Sequence, residues 1–116
     1  MNADELSRRA LDAAIARHVF DLEVEERTNK RTQERDCVCR EPGQQWLVVS
    51  YYSSSLAASI KVDVELQKRG WKRIRPQGRE TGAVRVILEH ADGRTVEGFG
   101  PVNEAVCRAG LKAVQP

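Results

Sequence analysis

Apolar residues recur every three to four positions in three separate segments, and this spacing is typical of amphipathic helices. Asp4 or Ser7 is expected to cap the first helix and Asn103 the last, because short polar side chains accept bonds from free helix N–H groups. Gly70 suits the position just past the second helix, where a left-handed backbone favours glycine. The pattern predicts helices over 4–20, 55–69 and 103–114.

One face of the second predicted helix carries Ala57, Ile60 and Val64, with Leu56 and Leu66 beside it. Because these residues recur at helical spacing, we expect them to pack on the core. The third helix presents small residues at the same spacing, which would allow it to lie close to its neighbour.

Strand-favouring apolar runs lie between the helices. Asp92-Gly93 is a hairpin turn signal between the last two runs. The polar stretch 25–36 is either a long hairpin connection or two solvated strand ends. The runs predict strands over 37–39, 46–49, 71–75, 83–90 and 94–100.

The order of these elements predicts a single domain over 1–116 in the α/β (α+β) class. Strands joined by hairpins imply a mainly antiparallel sheet, of about four to five strands. In the runs around Trp46 and Ile87, apolar residues occupy both odd and even positions, which point to opposite faces of a strand. This pattern indicates a sheet covered on both faces. The expected architecture is therefore a three-layer α/β/α sandwich with three helices.

The bulk composition is that of an ordinary globular protein, with 41% hydrophobic and 31% charged residues among 116. The net charge of +2 does not by itself predict a polyanionic partner. No apolar run approaches the length of a membrane span, and the N-terminus lacks a secretory pattern. We expect a protein that stays in the cytoplasm of the cell that makes it and does not contact the membrane.

The stretch YYSSS places three serines immediately before the second helix. The favoured interpretation is that Ser53, Ser54 or Ser55 caps the helix. An anion site is the alternative, but the glycines of a phosphate-binding loop are missing. A serine nucleophile would need a partnered base, and no G-x-S-x-G elbow is present.

Cys37, Cys39 and Cys107 are expected to be free thiols, since three cysteines cannot all pair within one chain. A zinc site using Cys37 and Cys39 is the alternative, although structural zinc sites space their cysteines more widely. His18 and His90 lie outside any recognisable catalytic motif. We therefore expect no metal, no cofactor and no enzymatic activity.

One segment, 68–79, concentrates basic residues around a tryptophan. In a functional interpretation the cations contact phosphates while the indole stacks on a base. In a structural interpretation the indole is buried at a helix–strand junction and the cations protect an edge strand. The candidate binding patch comprises Lys68, Arg69, Trp71, Lys72, Arg73, Arg75 and Arg79.

The pattern YSSSLAASIKVDVELQKRGW, followed by hairpin strands and NEAVCRAGLKAV, resembles the phage ABA-sandwich domain family. The resemblance implies a three-layer sandwich encoded by a phage or prophage, and no particular activity. It also places Trp71 at a structural junction. The residues that carry it are Tyr52, Ser53, Gly70, Trp71, Glu104, Ala105, Cys107, Arg108 and Ala109.

These observations predict a small non-enzymatic phage or prophage protein that acts as a binding module. Its partner is expected to be a protein, which the host could encode, and self-association into a homo-oligomer is also open. The first alternative is an effector that inhibits a host protein, such as a defence component. The second alternative is nucleic-acid binding through 68–79.

Overall fold

A computed structural model describes residues 2–74 and 83–115. It has three α-helices and a short N-terminal 3-10 helix, Ala3–Glu5, and its mixed α+β class and three helices confirm that part of the prediction. The helices are α1 (Arg8–His18), α2 (Leu56–Lys68) and α3 (Val102–Val114). The strands are β1 (Glu23–Thr28), β2 (Arg35–Arg40), β3 (Leu47–Val48), β4 (Trp71–Ile74), β5 (Val84–His90) and β6 (Thr95–Gly100).

The described strands form two antiparallel sheets of three, in the orders β1-β2-β3 and β4-β5-β6. The expectation of one sheet with four to five strands was therefore wrong. Each sheet contains only strands that follow one another in sequence, and α2 separates the two groups along the chain. Hydrophobic periodicity identifies strands but does not show which strands pair with each other. For this reason the sequence pattern placed all the strands in one sheet.

The polar stretch 25–36 belongs to two solvated strand ends rather than to a long connection. Its residues continue β1 to Thr28 and begin β2 at Arg35, with a tight turn between them. Val24 lies opposite Cys39, and both side chains pack against the core beneath α1. The charged side chains of this hairpin lie mostly in solvent.

The inner face of the second sheet packs against α3, with Val86 and Leu88 buried beneath the helix. Gly98 permits a very close approach, because a Cβ atom there would lie 2.6 Å from the Ala109 nitrogen and closer still to the Ala105 carbonyl oxygen. The small-residue face predicted for α3 is therefore confirmed. Helix and sheet meet at backbone distance, which excludes any larger residue at position 98.

The outer face of the second sheet is largely open to solvent in the described part of the chain. Phe99 is 54% exposed and Ile74 37%, while Ile87 is half-buried. The expected sandwich, with a helical layer on each face of one sheet, is therefore not the observed arrangement. The bulky residues on this face are separated by charged ones, such as the Arg85–Glu97 ion pair, and this pattern suits a solvated surface.

Serine side chains cap two of the helices. Ser7 accepts a bond from the Ala10 N–H at the start of α1. Ser55 does the same for the Ala58 N–H of α2. Asn103 was expected to cap α3, but the N-cap is Pro101 and the Asn103 side chain accepts a bond from the Ser59 hydroxyl instead.

The orientation of α2 differs from the expected one. Its buried residues are Ala58, Ser59, Val62 and Leu66, and the row that includes Ile60 lies on the opposite side. The helix carries apolar residues on two faces, so periodicity alone selected the wrong face. Gly70 ends the helix with φ +91°, as predicted, and the chain then turns back into β4.

A fully buried carboxylate joins α1 to the serine-rich segment. Asp12 accepts a 2.7 Å bond from the Ser53 backbone N–H and a 3.0 Å charged bond from Arg9. Arg9 also bonds Asp36 of β2 and the Val49 carbonyl oxygen after β3. Burial opposes the charged form of Asp36, but its bonds from Arg9 and the Cys37 N–H bring its pKa below the ordinary value. One ion-pair network therefore connects α1, the first sheet and the entry to α2.

Replacing Asp12 with alanine should lower the free energy of unfolding by about 2–3 kcal/mol, because the buried Ser53 N–H is left without an acceptor and Arg9 loses one of its two carboxylates. Urea unfolding followed by circular dichroism measures this loss. Asp36→Ala is the matched control, since Asp36 also pairs with Arg9 but its side chain is 39% exposed. Equal losses in the two variants would contradict the central role of Asp12.

Candidate binding surface

The cations of segment 68–79 differ in whether they form ion pairs with other described residues. Arg69 donates a 2.6 Å bond to the Val19 carbonyl oxygen and pairs with Glu65 and Asp21, so it ties α2 to the end of α1. Lys68, Lys72 and Arg73 are exposed and form no ion pair with another described residue. Arg75 and Arg79 lie outside the described residues. Three of the predicted cations therefore have no ion-pair partner in the part of the chain that the structure describes.

Trp71 is buried at the junction between α2 and β4, with only 5% of its surface exposed. Its ring meets His90 edge-on at a centroid distance of 5.0 Å, and the Arg94 guanidinium lies 5.4 Å from its centroid. His90 is itself fixed by the Arg69 carbonyl oxygen and by Asp92. This geometry favours the structural interpretation, because an enclosed indole cannot stack on a base.

The three serines have different surroundings. Ser55 caps α2, while Ser53 is buried and donates its hydroxyl hydrogen to the Arg8 carbonyl oxygen at 3.3 Å. Ser54 is exposed. Neighbouring Tyr52 is buried and stacks on Phe20 at 5.2 Å. The hydroxyls of Ser53 and Ser55 are used within the fold and do not converge on a site.

The three cysteines are unpaired, with Cys39 and Cys107 buried and Cys37 half-buried. Burial raises the pKa of the Cys39 thiol and raises that of Cys107 to about 12, so both are held as neutral thiols. Residues 2–74 and 83–115 contain no group of three side chains placed to hold a metal ion. The structure therefore does not bring Cys37 and Cys39 together with further metal ligands.

The sequence reasoning missed an exposed apolar row on α2. Leu56 is 64% exposed, Ile60 52% and Val64 46%, and the three recur at four-residue spacing. We call this row the α2 face. The available signal was that α2 carries two apolar series, 56–60–64 and 58–62–66, although a helix resting on one core needs only one.

Two neighbouring depressions share Arg73 of β4 and together form a groove beside the α2 face. The narrower depression lies between α2 and α3, and the wider one surrounds the start of β4, between Gln67 of α2 and the end of β5. The wider depression, of about 850 Å³, is open to solvent, and the narrower one is about 50 Å³. The groove is lined by Leu56, Ile60, Asp63 and Gln67 of α2, by Trp71 and Arg73 of β4, and by Val102 of α3.

The lining of this groove carries charges of both signs, with Lys72 and Arg73 of β4 beside Asp63 and Glu89. Lys61, Lys68, Lys72 and Arg73 have no ion-pair partner among the described residues, while Asp63 and Glu89 are the nearby unpaired carboxylates. Most other cations of the described chain, such as Arg40 and Arg108, are already paired. The groove therefore combines apolar surface with two cations of β4 that have no ion-pair partner among the described residues.

No protein-family model matches the chain, and the comparison with curated proteins found no match. The resemblance to the phage ABA-sandwich family therefore stays a prediction. No helix in the described parts of the chain combines the length and the apolar character needed to cross a membrane.

The burial of Trp71 can be tested by fluorescence, since the chain has two tryptophans and Trp46→Phe leaves Trp71 as the only one. Acrylamide should quench this variant several-fold less when folded than when unfolded in urea, because the indole is enclosed. A single-stranded oligonucleotide at low salt should leave the emission unchanged. Quenching by the oligonucleotide would contradict the structural interpretation and favour base stacking.

Proposed function

We propose that this chain is a non-catalytic protein-binding module and that the α2 face is its contact surface. The observation that carries the proposal is the row of large aliphatic side chains, each about half exposed, along one helix. Single exposed apolar residues are common, but an aligned row beside a groove is typical of an interaction site.

Burial of the α2 face by a partner is energetically favourable. Covering the exposed half of Leu56, Ile60 and Val64 would contribute about 1 kcal/mol for each side chain, from the transfer of apolar area out of water. This gain does not require a rearrangement of the core, because Val62 and Leu66 hold α2 from the other side. The surface is therefore available to a partner without unfolding.

The charged side chains on α2 and β4 near the α2 face indicate the chemistry of the partner. Lys61 and Lys68 extend from α2, and Lys72 and Arg73 from β4, without partners among the described residues. A protein with acidic residues around an apolar patch would neutralise them and gain specificity and association rate. We therefore propose an acidic protein segment as the partner.

The resemblance to a phage family supports two narrower proposals. One is that the chain acts in the cytoplasm of a bacterial host, and the other is that a host protein, such as a defence component, is the target. A second copy of the chain is a further candidate occupant of the α2 face, although like-charged rims would then meet on antiparallel pairing.

Nucleic-acid binding is the second candidate function, and the free cations Lys68, Lys72 and Arg73 are the observation that favours it. The buried position of Trp71 removes the stacking contribution that the sequence suggested. Binding by these cations alone would be sequence-independent and steeply salt-dependent.

Site-specific photo-crosslinking in the producing cells tests the proposal. A benzoylphenylalanine at position 60 should crosslink a defined protein, whereas the same group at position 99 should not. Phe99 is the matched control site because it is 54% exposed, close to the 52% of Ile60, but lies on the outer sheet face.

The captured protein is then purified and its affinity measured by calorimetry. Ile60→Asp should weaken binding at least about tenfold, because the charge would be buried against apolar surface, and Phe99→Asp should have little effect. Equal capture at both positions, or equal affinity of both variants, would contradict the proposal. A salt-dependent oligonucleotide shift that Lys72→Glu abolishes would favour the second candidate instead.

A further inference from the structure

We infer that the α2–β4 groove binds an extended, acidic–apolar peptide segment, which adds as an antiparallel strand to the free edge of β4. This inference rests on the proposed function and names the ligand class of the same surface. It is carried by the backbone of β4, by the position of the α2 face and by the free cations.

The edge of β4 is unpaired in the described residues. The order β4-β5-β6 gives β4 a single neighbour, and the Ala91 N–H bonds the Gly70 carbonyl oxygen at the start of the pair. In an antiparallel pair every second residue forms backbone hydrogen bonds with the neighbouring strand. Since Gly70 bonds Ala91, the backbone groups of Lys72 and Ile74 also bond β5. The N–H and C=O groups of Trp71 and Arg73 therefore point to the open edge.

Side-chain positions on β4 define what an added strand would need. Trp71 and Arg73 lie on the inner face, where Arg73 shares the narrower depression with Leu56 and Ile60, and Lys72 and Ile74 lie on the outer face. A neighbouring strand in register would place alternate side chains against Ile60 and Leu56 and the others beside Lys72. Apolar residues suit the first set and acidic residues the second.

An exposed strand edge with apolar pockets beside it is the arrangement that proteins use for strand addition. Backbone bonds to the edge supply affinity, and pockets for alternate side chains supply specificity. The open edge is short, with two outward residues, and its free cations discourage pairing with a second copy of β4. These features favour an acidic ligand over self-association.

The test is a nuclear magnetic resonance titration of the labelled full chain. The probe is a capped peptide of about eight residues that alternates valine and glutamate. We expect saturable shifts of the β4 amides and of the Ile60 and Val64 methyl groups, with a dissociation constant below about 1 mM. An otherwise identical valine–lysine peptide should bind at least about tenfold more weakly, because Lys72 and Arg73 would repel it.

Backbone methylation separates strand addition from simple apolar contact. In an antiparallel added strand the valine N–H groups face β4 and the glutamate N–H groups face solvent. Methylation of the valine nitrogens should weaken binding at least about tenfold, while methylation of the glutamate nitrogens should have little effect. Ile60→Asp should abolish binding and Phe99→Asp should retain it.

Equal binding of the three backbone forms would overturn strand addition. If binding of the peptide still requires Ile60, the α2 face is retained as the contact surface and only the strand-addition mode is rejected. Absence of shifts in β4 at millimolar peptide would also overturn the inference, whereas the crosslinking result at position 60 decides the proposed function separately.

Discussion

The structure depends on the buried Asp12 carboxylate. Its bond from the Ser53 N–H and its ion pair with Arg9 join α1 to the serine-rich segment, and Arg9 extends the network to the first sheet. A charge in the core is tolerated only when it is fully paired, so these contacts constrain each other. They fix where the chain enters α2, since Ser55 caps that helix two residues after Ser53.

The position of α2 determines the contact surface that we propose. The helix is held from one side by Val62 and Leu66 and lies next to α3, where Ser59 bonds Asn103. The same packing turns Leu56, Ile60 and Val64 toward solvent, and Leu56 and Ile60 share a depression with Arg73 of β4. The exposed apolar row is therefore a consequence of how α2 is anchored, and the proposal of an acidic ligand depends on the cations beside it.

Local features of this fold could be predicted from the sequence, while long-range ones could not. Helix existence, the Asp92-Gly93 hairpin and Gly70 follow from short-range propensity and turn chemistry, and the structure has all three. The division into two sheets depends on which strands pair, and periodicity does not record that. The α2 face was assigned to the core because one helix carries two apolar rows, and the choice between them depends on long-range contacts such as the bond from Ser59 to Asn103. For Trp71 the residues alone left two interpretations open, and the structural one, which the family resemblance implied, agrees with its burial.

The most direct test of this account is the solvent accessibility of the α2 methyl groups in the isolated chain. A soluble paramagnetic probe should broaden the methyl signals of Leu56, Ile60 and Val64 strongly and leave those of Val62 and Leu66 sharp. The account predicts this alternation along a single helix at protein concentrations where the chain is monomeric. Protection of Ile60 and Val64 equal to that of Val62 would show that α2 packs on its other face, and the binding surface described above would not exist.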